Sequence, residues 1–325
     1  MTASVPTSTD EPDGVATHAV ALYDSADDLR RRALPFLRDG LASGGSTVAV
    51  VSGDSARQLR DALGADQREV RWQVPEVGYE GLGGVFEGVR RFLAGEHEAG
   101  NEVRLLTEND GTGGIARTSS YLRFEAASND VLTPFGFPWT CLYDRRRHPA
   151  DVLERVREVH PHVVGPCGHT SSSSAYVRPT NYLEAHPGPL SVVPPQPAVD
   201  LPLASAHQLV EVRSTAVGAG RALGLTDEDG DDFELATAEV LTNAIRHGQQ
   251  PCRVRLWATP GHVVLRVDDR GDGGEIPTRG FHPPTPSRGC RGGMGIWMVR
   301  QLADAVQVQT GDAGTSVELQ FPRRA

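Results

Sequence analysis

The stretch ELATAEVLTNAIRHG, Glu234 to Gly248, decides how the second half of this chain reads. It sets a carboxylate, Glu239, and a carboxamide, Asn243, one helical turn apart. At i and i+4 the two project from the same helix face and address one small volume. Leu235, Val240, Leu241, Ala244 and Ile245 are expected to supply the buried surface around them. An acid and an amide at this spacing also occur as a solvated stripe, but two glycine-rich segments downstream argue for a site. VDDRGDGG, Val267 to Gly274, ends an apolar strand, and RGGMGIWMV, Arg291 to Val299, opens a helix.

A lone GxG is a weak signal. An ExxxN helix, a strand ending in DxGxG and a GxG that starts a helix, in that order, are specific. Together they resemble the nucleotide-binding set of the GHKL family, which includes gyrase B, the Hsp90 chaperone, histidine kinases and MutL. The resemblance implies a two-layer α/β sandwich of the Bergerat type, with helices on one face of a mixed sheet, that binds ATP with Mg²⁺. It gives Asp269 the acceptor role toward the adenine amino group and lets Gly271 and Gly273 bring backbone close to the nucleotide. Gly293 and Gly295 would present amides to phosphate at a helix start, and Asn243 would supply a neutral oxygen to Mg²⁺. Thr315, after Gly314, resembles the family's last adenine contact. Arg246 and His247 follow Asn243 by one turn and point toward phosphate, although His247 reads equally well as a helix-end residue.

Composition bounds the rest. With 325 residues the chain has length for two cores, and its net charge of −10 gives no basic footprint for nucleic acid or anionic lipid. All 32 basic residues are arginine, so a Walker-type phosphate loop, which needs a lysine, is excluded. Cys141, Cys167, Cys252 and Cys290 form no CxxC pair, as expected of a reduced cytoplasmic protein. No signal peptide is legible, and no apolar run approaches the ~18 residues of a membrane helix.

Residues 1–17 are polar and read as a disordered tail. From His18 short apolar runs alternate with amphipathic segments. HAVALY, TVAVVS, Val70 to Val74, Glu102 to Thr107 and Trp139 to Tyr143 read as strands. Helices are expected from Ser25, with Pro35 in conflict, and over 55–63, 83–93, 118–127 and 150–159. Strand–helix alternation predicts a mostly parallel sheet covered on both faces, a three-layer α/β domain. LYDSADDL, CLYDRRRHPADVL and VHPHVV resemble the DcmR-type sensory domain, MEDS, over 18–185. That family implies a RecA-like fold without catalytic motifs, acting as a signal input. His148, His160, His162, Cys167 and His169 are dense, but HPHVVGPCGH lacks paired-ligand spacing and is not read as a metal site. Cys141 reads as a small buried apolar residue, and Ser171 to Ser174 as a loop.

Residues 186–203, including PGPLSVVPPQPAVDLPL, are too proline-rich for a helix or central strand and read as a semi-rigid linker. Residues 204–325 form the GHKL-like domain: helices over 204–223 and 228–247, a hairpin of 254–258 and 263–267, a mobile lid over 273–292, a further helix, and strands over 306–310 and 315–321. A dimerising helical hairpin with a phospho-acceptor histidine does not precede this domain, and no transducer follows it, which leaves the anti-sigma-factor serine kinases of the RsbW and SpoIIAB type as the subgroup it resembles. That resemblance makes Glu239 the general base for a protein serine hydroxyl. It implies a sigma factor and an anti-sigma antagonist of the STAS fold as partners, and is compatible with a homodimer. Two alternatives stand beside it: a sensor-type histidine kinase acting on a separate protein, and a non-enzymatic module that sequesters a sigma factor with ATP as a structural ligand.

Overall fold

The computed structural model describes residues 17–73, 81–109, 111, 114–271, 280–284 and 294–323. Its first sheet has strands β1 (His18–Tyr23), β2 (Ser46–Val50), β3 (Val103–Asn109), β4 (Trp139–Asp144), β5 (His162–Val164) and β6 (Thr170–Ser172), in the order β2-β3-β4-β1-β5-β6. Every pair is parallel except β5 with β6. β1 and β4 lie at its centre and are buried at every position, which is why both read as near-continuous apolar runs. Helices α1 (Ala26–Ser43) and α2 (Gly53–Leu63) cover one face through Leu29, Ala33, Leu37, Leu59 and Leu63. Helices α3 (Leu82–Glu98), α4 (Gly114–Val131) and α5 (Ala150–Val159) cover the other through Phe92, Leu93, Leu122, Ala126, Val152 and Val156. The expected three layers are present. α6 (Pro179–Ala185) adds Tyr182 to the second of these cores.

Ser25 caps α1 by accepting from the Asp28 amide, and the helix runs through Pro35 to a left-handed Gly44. An interior proline costs ~3 kcal/mol. Burial of Leu29, Ala33 and Leu37 on one face outweighs it. Among the described residues the strand expected over Val70 to Val74 is a single bridge, Arg71 with Val48, reached out of a 3-10 turn, Gly64–Glu69; Val74 lies outside those residues. Ser171 and Ser172, expected in a loop, pair on the edge strand β6.

The second sheet has the order β10-β11-β9-β8-β7, from β7 (Val199–Leu203), β8 (Cys252–Ala258), β9 (His262–Asp269), β10 (Ala305–Gly311) and β11 (Gly314–Pro322). All four pairings are antiparallel, which corrects the expected mixed sheet. The proline-rich 186–203 is also not linker throughout: Val199–Leu203 forms an edge strand, where Pro202 is tolerated. Helices α7 (Leu209–Ala222), α8 (Asp227–His247) and α9 (Met294–Leu302) pack on one face. α8 buries Phe233, Ala236, Thr237, Val240, Leu241 and Ala244. Leu235 falls off that stripe and is 53% exposed, contrary to expectation.

The opposite sheet face is polar and is covered. Strand alternation turns Arg266 and Glu318 away from the helices. They form a buried ion pair that holds Ser191, whose hydroxyl donates to Glu318 Oε1 at 2.6 Å and whose carbonyl accepts from Arg266. Gln309 donates to the Gly188 carbonyl at 2.8 Å. The segment read as a spacer is thus fastened to the sheet it precedes.

Candidate functional site

Asn243 Nδ2 donates to Glu239 Oε1 at 3.0 Å, with both side chains half-buried on α8. The amide nitrogen is turned to the carboxylate, so the amide oxygen and the second carboxylate oxygen are the acceptors the pair can offer a ligand. Gly295, in the first turn of α9, lies so close that a Cβ there would collide with the Glu239 carboxylate. A side chain at 295 would displace the Glu239 carboxylate from this position.

A second cluster forms where α8 ends. Asp269 closes β9, and its Oδ1 accepts from the Gly271 amide at 2.6 Å. Thr315 stands opposite Asp269 on β11 and donates to the Gly271 carbonyl at 3.2 Å. Gly248, just past α8, packs directly on the Asp269 carboxylate. Cys252 lies beside it; burial, and then the Asp269 charge, push the thiol up to about 11. An open pocket of about 580 Å³ adjoins Asp269, Cys252 and Arg270. Glu239 and Gly248 are nine residues apart, so the two clusters lie about 13 Å apart along α8.

Arg246 and His247 are exposed in the last turn of α8, where positive charge complements the helix dipole. Gly273, Gly293 and Cys290 lie outside the described residues. The structure therefore brings together Glu239, Asn243 and Gly295 at one end, and Asp269, Gly271 and Thr315 at the other. Residues 203–321 match the family described as the histidine kinase-like ATPase domain, and residues 17–161 match MEDS, the methanogen/methylotroph DcmR sensory domain. The chain joins a MEDS domain to a histidine kinase-like ATPase domain.

The ATPase domain is similar to serine-protein kinase RsbW of Bacillus licheniformis, 28% identical over 119 residues, covering 33% of this chain and 74% of that one. RsbW of Bacillus velezensis is 29% identical over 115 residues, covering 32% and 72%. RsbW of Bacillus subtilis is 27% identical over 109 residues, covering 30% and 68%. Among solved structures, the RsbU and RsbW domains of Rv1364c from Mycobacterium tuberculosis align at 20% identity with a TM-score of 0.30, over 41% of this chain and 34% of that one. The histidine kinase domain of the E. coli osmosensor EnvZ aligns at 18% identity with a TM-score of 0.24, over 41% and 94%. Among the described residues no helix is long and apolar enough to cross a membrane.

The sequence did not reveal how the MEDS domain meets the ATPase domain. Phe281, in the stretch read as a mobile lid, is buried against Leu82, Phe124 and Leu183 of the MEDS half. Its ring lies edge-on to Phe124 at 5.1 Å, with the Arg300 guanidinium 3.9 Å from its centroid. The backbone of Gly83 on α3 abuts the Arg300 carbonyl of α9, and Gln307 Nε2 donates to Ser120 of α4 at 2.7 Å. A cleft of about 990 Å³ lies along this junction, lined by Glu87, Arg91, Asp229, Trp297 and Gln301; among the described residues none of those expected to bind nucleotide lines it. An aromatic in a Gly- and Pro-rich segment was the one available signal for Phe281.

Proposed function

We propose that the ATPase domain is an ATP-dependent protein serine/threonine kinase of the anti-sigma type, acting in the cytoplasm on a STAS-fold antagonist and sequestering a sigma factor. The observation that carries this reading is the bonded Glu239–Asn243 pair beside Gly295, about 13 Å along α8 from Asp269. A nucleoside triphosphate can bridge that length, so the residues fit the nucleotide that the family implies. Asp269, with Thr315 and Gly271, would receive the adenine, its carboxylate accepting from the amino group. Asn243 would hold Mg²⁺ through its amide oxygen, and the amides of Gly293 and Gly295 would meet phosphate at the start of α9. When bound, Mg-ATP supplies the phosphoryl group and neutralises its charge.

Glu239 then has the proton to move. It takes the hydrogen of the substrate hydroxyl, while its bond to Asn243 holds the carboxylate in place. Arg246 and His247 would add positive charge at the phosphate end. The similarity to RsbW supports a protein substrate and a serine hydroxyl. We also read the MEDS domain as the regulator, since Phe281 ties the segment between the two glycine motifs to α4.

The test is transfer of radiolabelled γ-phosphate from ATP to a STAS-fold antagonist encoded by the same host. Acid-stable label on serine or threonine is expected. Glu239→Ala should retain ATP binding and lose transfer by about 10²- to 10⁴-fold. Acid-labile label, or full transfer by the variant, would overturn the assignment.

A further inference from the structure

We propose that the MEDS domain contains a buried site for one divalent transition metal of the zinc class, ligated by His18, Glu125, Cys141 and His160. The four residues are far apart in sequence and show no ligand spacing. The fold gathers them from β1, α4, β4 and the end of α5. Each is 3% exposed or less, and their four donor atoms all lie within 4.8 Å of one another. Cys141 is therefore not merely the small apolar filler its sequence suggests, and His160 parts company with the histidines around it.

The surroundings fix both imidazoles as ligands. Asn129 spends its amide N–H groups on the carbonyls of Val159, at 2.9 Å, and Ala126, at 3.1 Å. Its oxygen therefore faces His18 Nδ1, 2.9 Å away, and can only accept. Val156 O stands 2.6 Å from His160 Nδ1 and likewise can only accept. Each ring thus carries its proton on Nδ1 and turns the lone pair of Nε2 into the cluster, the second-shell arrangement of metal-bound histidine.

Opposing those lone pairs are further electron-rich atoms. His18 Nε2 lies 3.3 Å from Cys141 Sγ, and His160 Nε2 lies 3.3 Å from Glu125 Oε1. Glu125 Oε1 and His160 Nε2 are both buried and without a hydrogen-bond partner, a costly arrangement unless a cation lies between them. The Tyr143 hydroxyl donates to Glu125 Oε2, and the Thr107 hydroxyl donates to Cys141 Sγ at 3.1 Å; both favour anionic ligands. Metal–nitrogen and metal–sulfur bonds of ~2.0 and ~2.3 Å in a tetrahedron set neighbouring ligands ~3.3–3.7 Å apart, and both 3.3 Å edges meet that spacing. Two anions, two neutral imidazoles and one dication sum to no net charge, which suits a site with no exposure. The mixed nitrogen, sulfur and oxygen donors select a borderline cation over Mg²⁺ or Ca²⁺.

The proposal is independent of the kinase assignment. To test it, the full chain is purified without a metal-affinity step from zinc-replete cells and analysed by elemental mass spectrometry. About one zinc per chain is expected. Chelation should lower the melting temperature of the wild-type chain, and added Zn²⁺ should restore it. After Co²⁺ reconstitution, intense visible bands and a thiolate-to-cobalt charge-transfer band are expected. Cys141→Ser should abolish the charge-transfer band and His160→Gln should weaken Co²⁺ binding at least tenfold, whereas Cys167→Ser, at an exposed thiol, should change neither. A metal-free chain that gives no charge-transfer band on reconstitution overturns the proposal. So does a band that survives in Cys141→Ser. If that variant does not fold, a wild-type melting temperature indifferent to chelator and zinc overturns it as well.

Discussion

Phe281 lies edge-on against Phe124, ring centroids 5.1 Å apart at 76°, so a residue between the two glycine motifs of the ATPase domain is packed into the MEDS domain. α4, which carries Phe124, also carries Glu125, whose side chain faces the buried histidine and cysteine cluster. One helix therefore touches both the interior of the MEDS half and a residue of the ATPase half.

Phe281→Ala should destabilise the full chain by about 3 kcal/mol, since the buried ring fills an aromatic cluster. If this contact transmits regulation, ATP affinity of the variant should match that of a fragment covering 187–325, which keeps the segment bound to the sheet through Gly188 and Ser191. Calorimetric titration of both proteins and wild type makes the comparison. An affinity in Phe281→Ala equal to that of wild type, with the fragment differing from both, would exclude this contact as the coupling element.

Asp269→Asn should abolish ATP binding. The Gly271 amide already donates to Oδ1 at 2.6 Å, and an amide group here would place a donor where an acceptor is required. Titration calorimetry on the full chain is the measurement. Unchanged affinity would move the adenine site elsewhere.

Removing one member of the Arg266–Glu318 pair should cost more than removing both. Glu318→Ala leaves the Arg266 charge buried and frees Ser191, so a loss of about 3–5 kcal/mol is expected. Replacing both by apolar residues of similar volume should recover most of it. Chemical denaturation of the single and double variants decides the point, and a double-variant loss equal to the sum of the two single losses would show that the pair contributes no coupling.

Cys252 should resist alkylation at pH 8 while Cys167 reacts, as peptide mass spectrometry can show. Its thiol is held at about 11 against an ordinary value of 9.0, by burial first and the Asp269 charge second. The unfolded chain then loses this proton first as pH rises. The contribution of Cys252 to stability is complete below pH 9 and declines from there through pH 11. Rapid labelling of Cys252 at pH 8 in the folded protein would contradict this environment.

Local pattern was enough to read much of this molecule. The apolar runs of β1 and β4 and the 3.6-residue stripe of α8 depend only on residues near one another in sequence, and so does the i,i+4 relation that lets Asn243 bond to Glu239. What depends on distant residues was not legible. The strand at Val199–Leu203 exists because β8 offers it an edge, despite its proline. Leu235 is exposed although apolar, because an apolar residue carries no sign of which helix face will meet the sheet. His18, Glu125, Cys141 and His160 meet only after a parallel sheet has stacked four separate elements, and the docking of Phe281 needs both halves folded. Sequence fixes periodicity and chemical type, whereas convergence of remote side chains is settled by how the layers pack, since packing alone determines which buried polar atoms face one another.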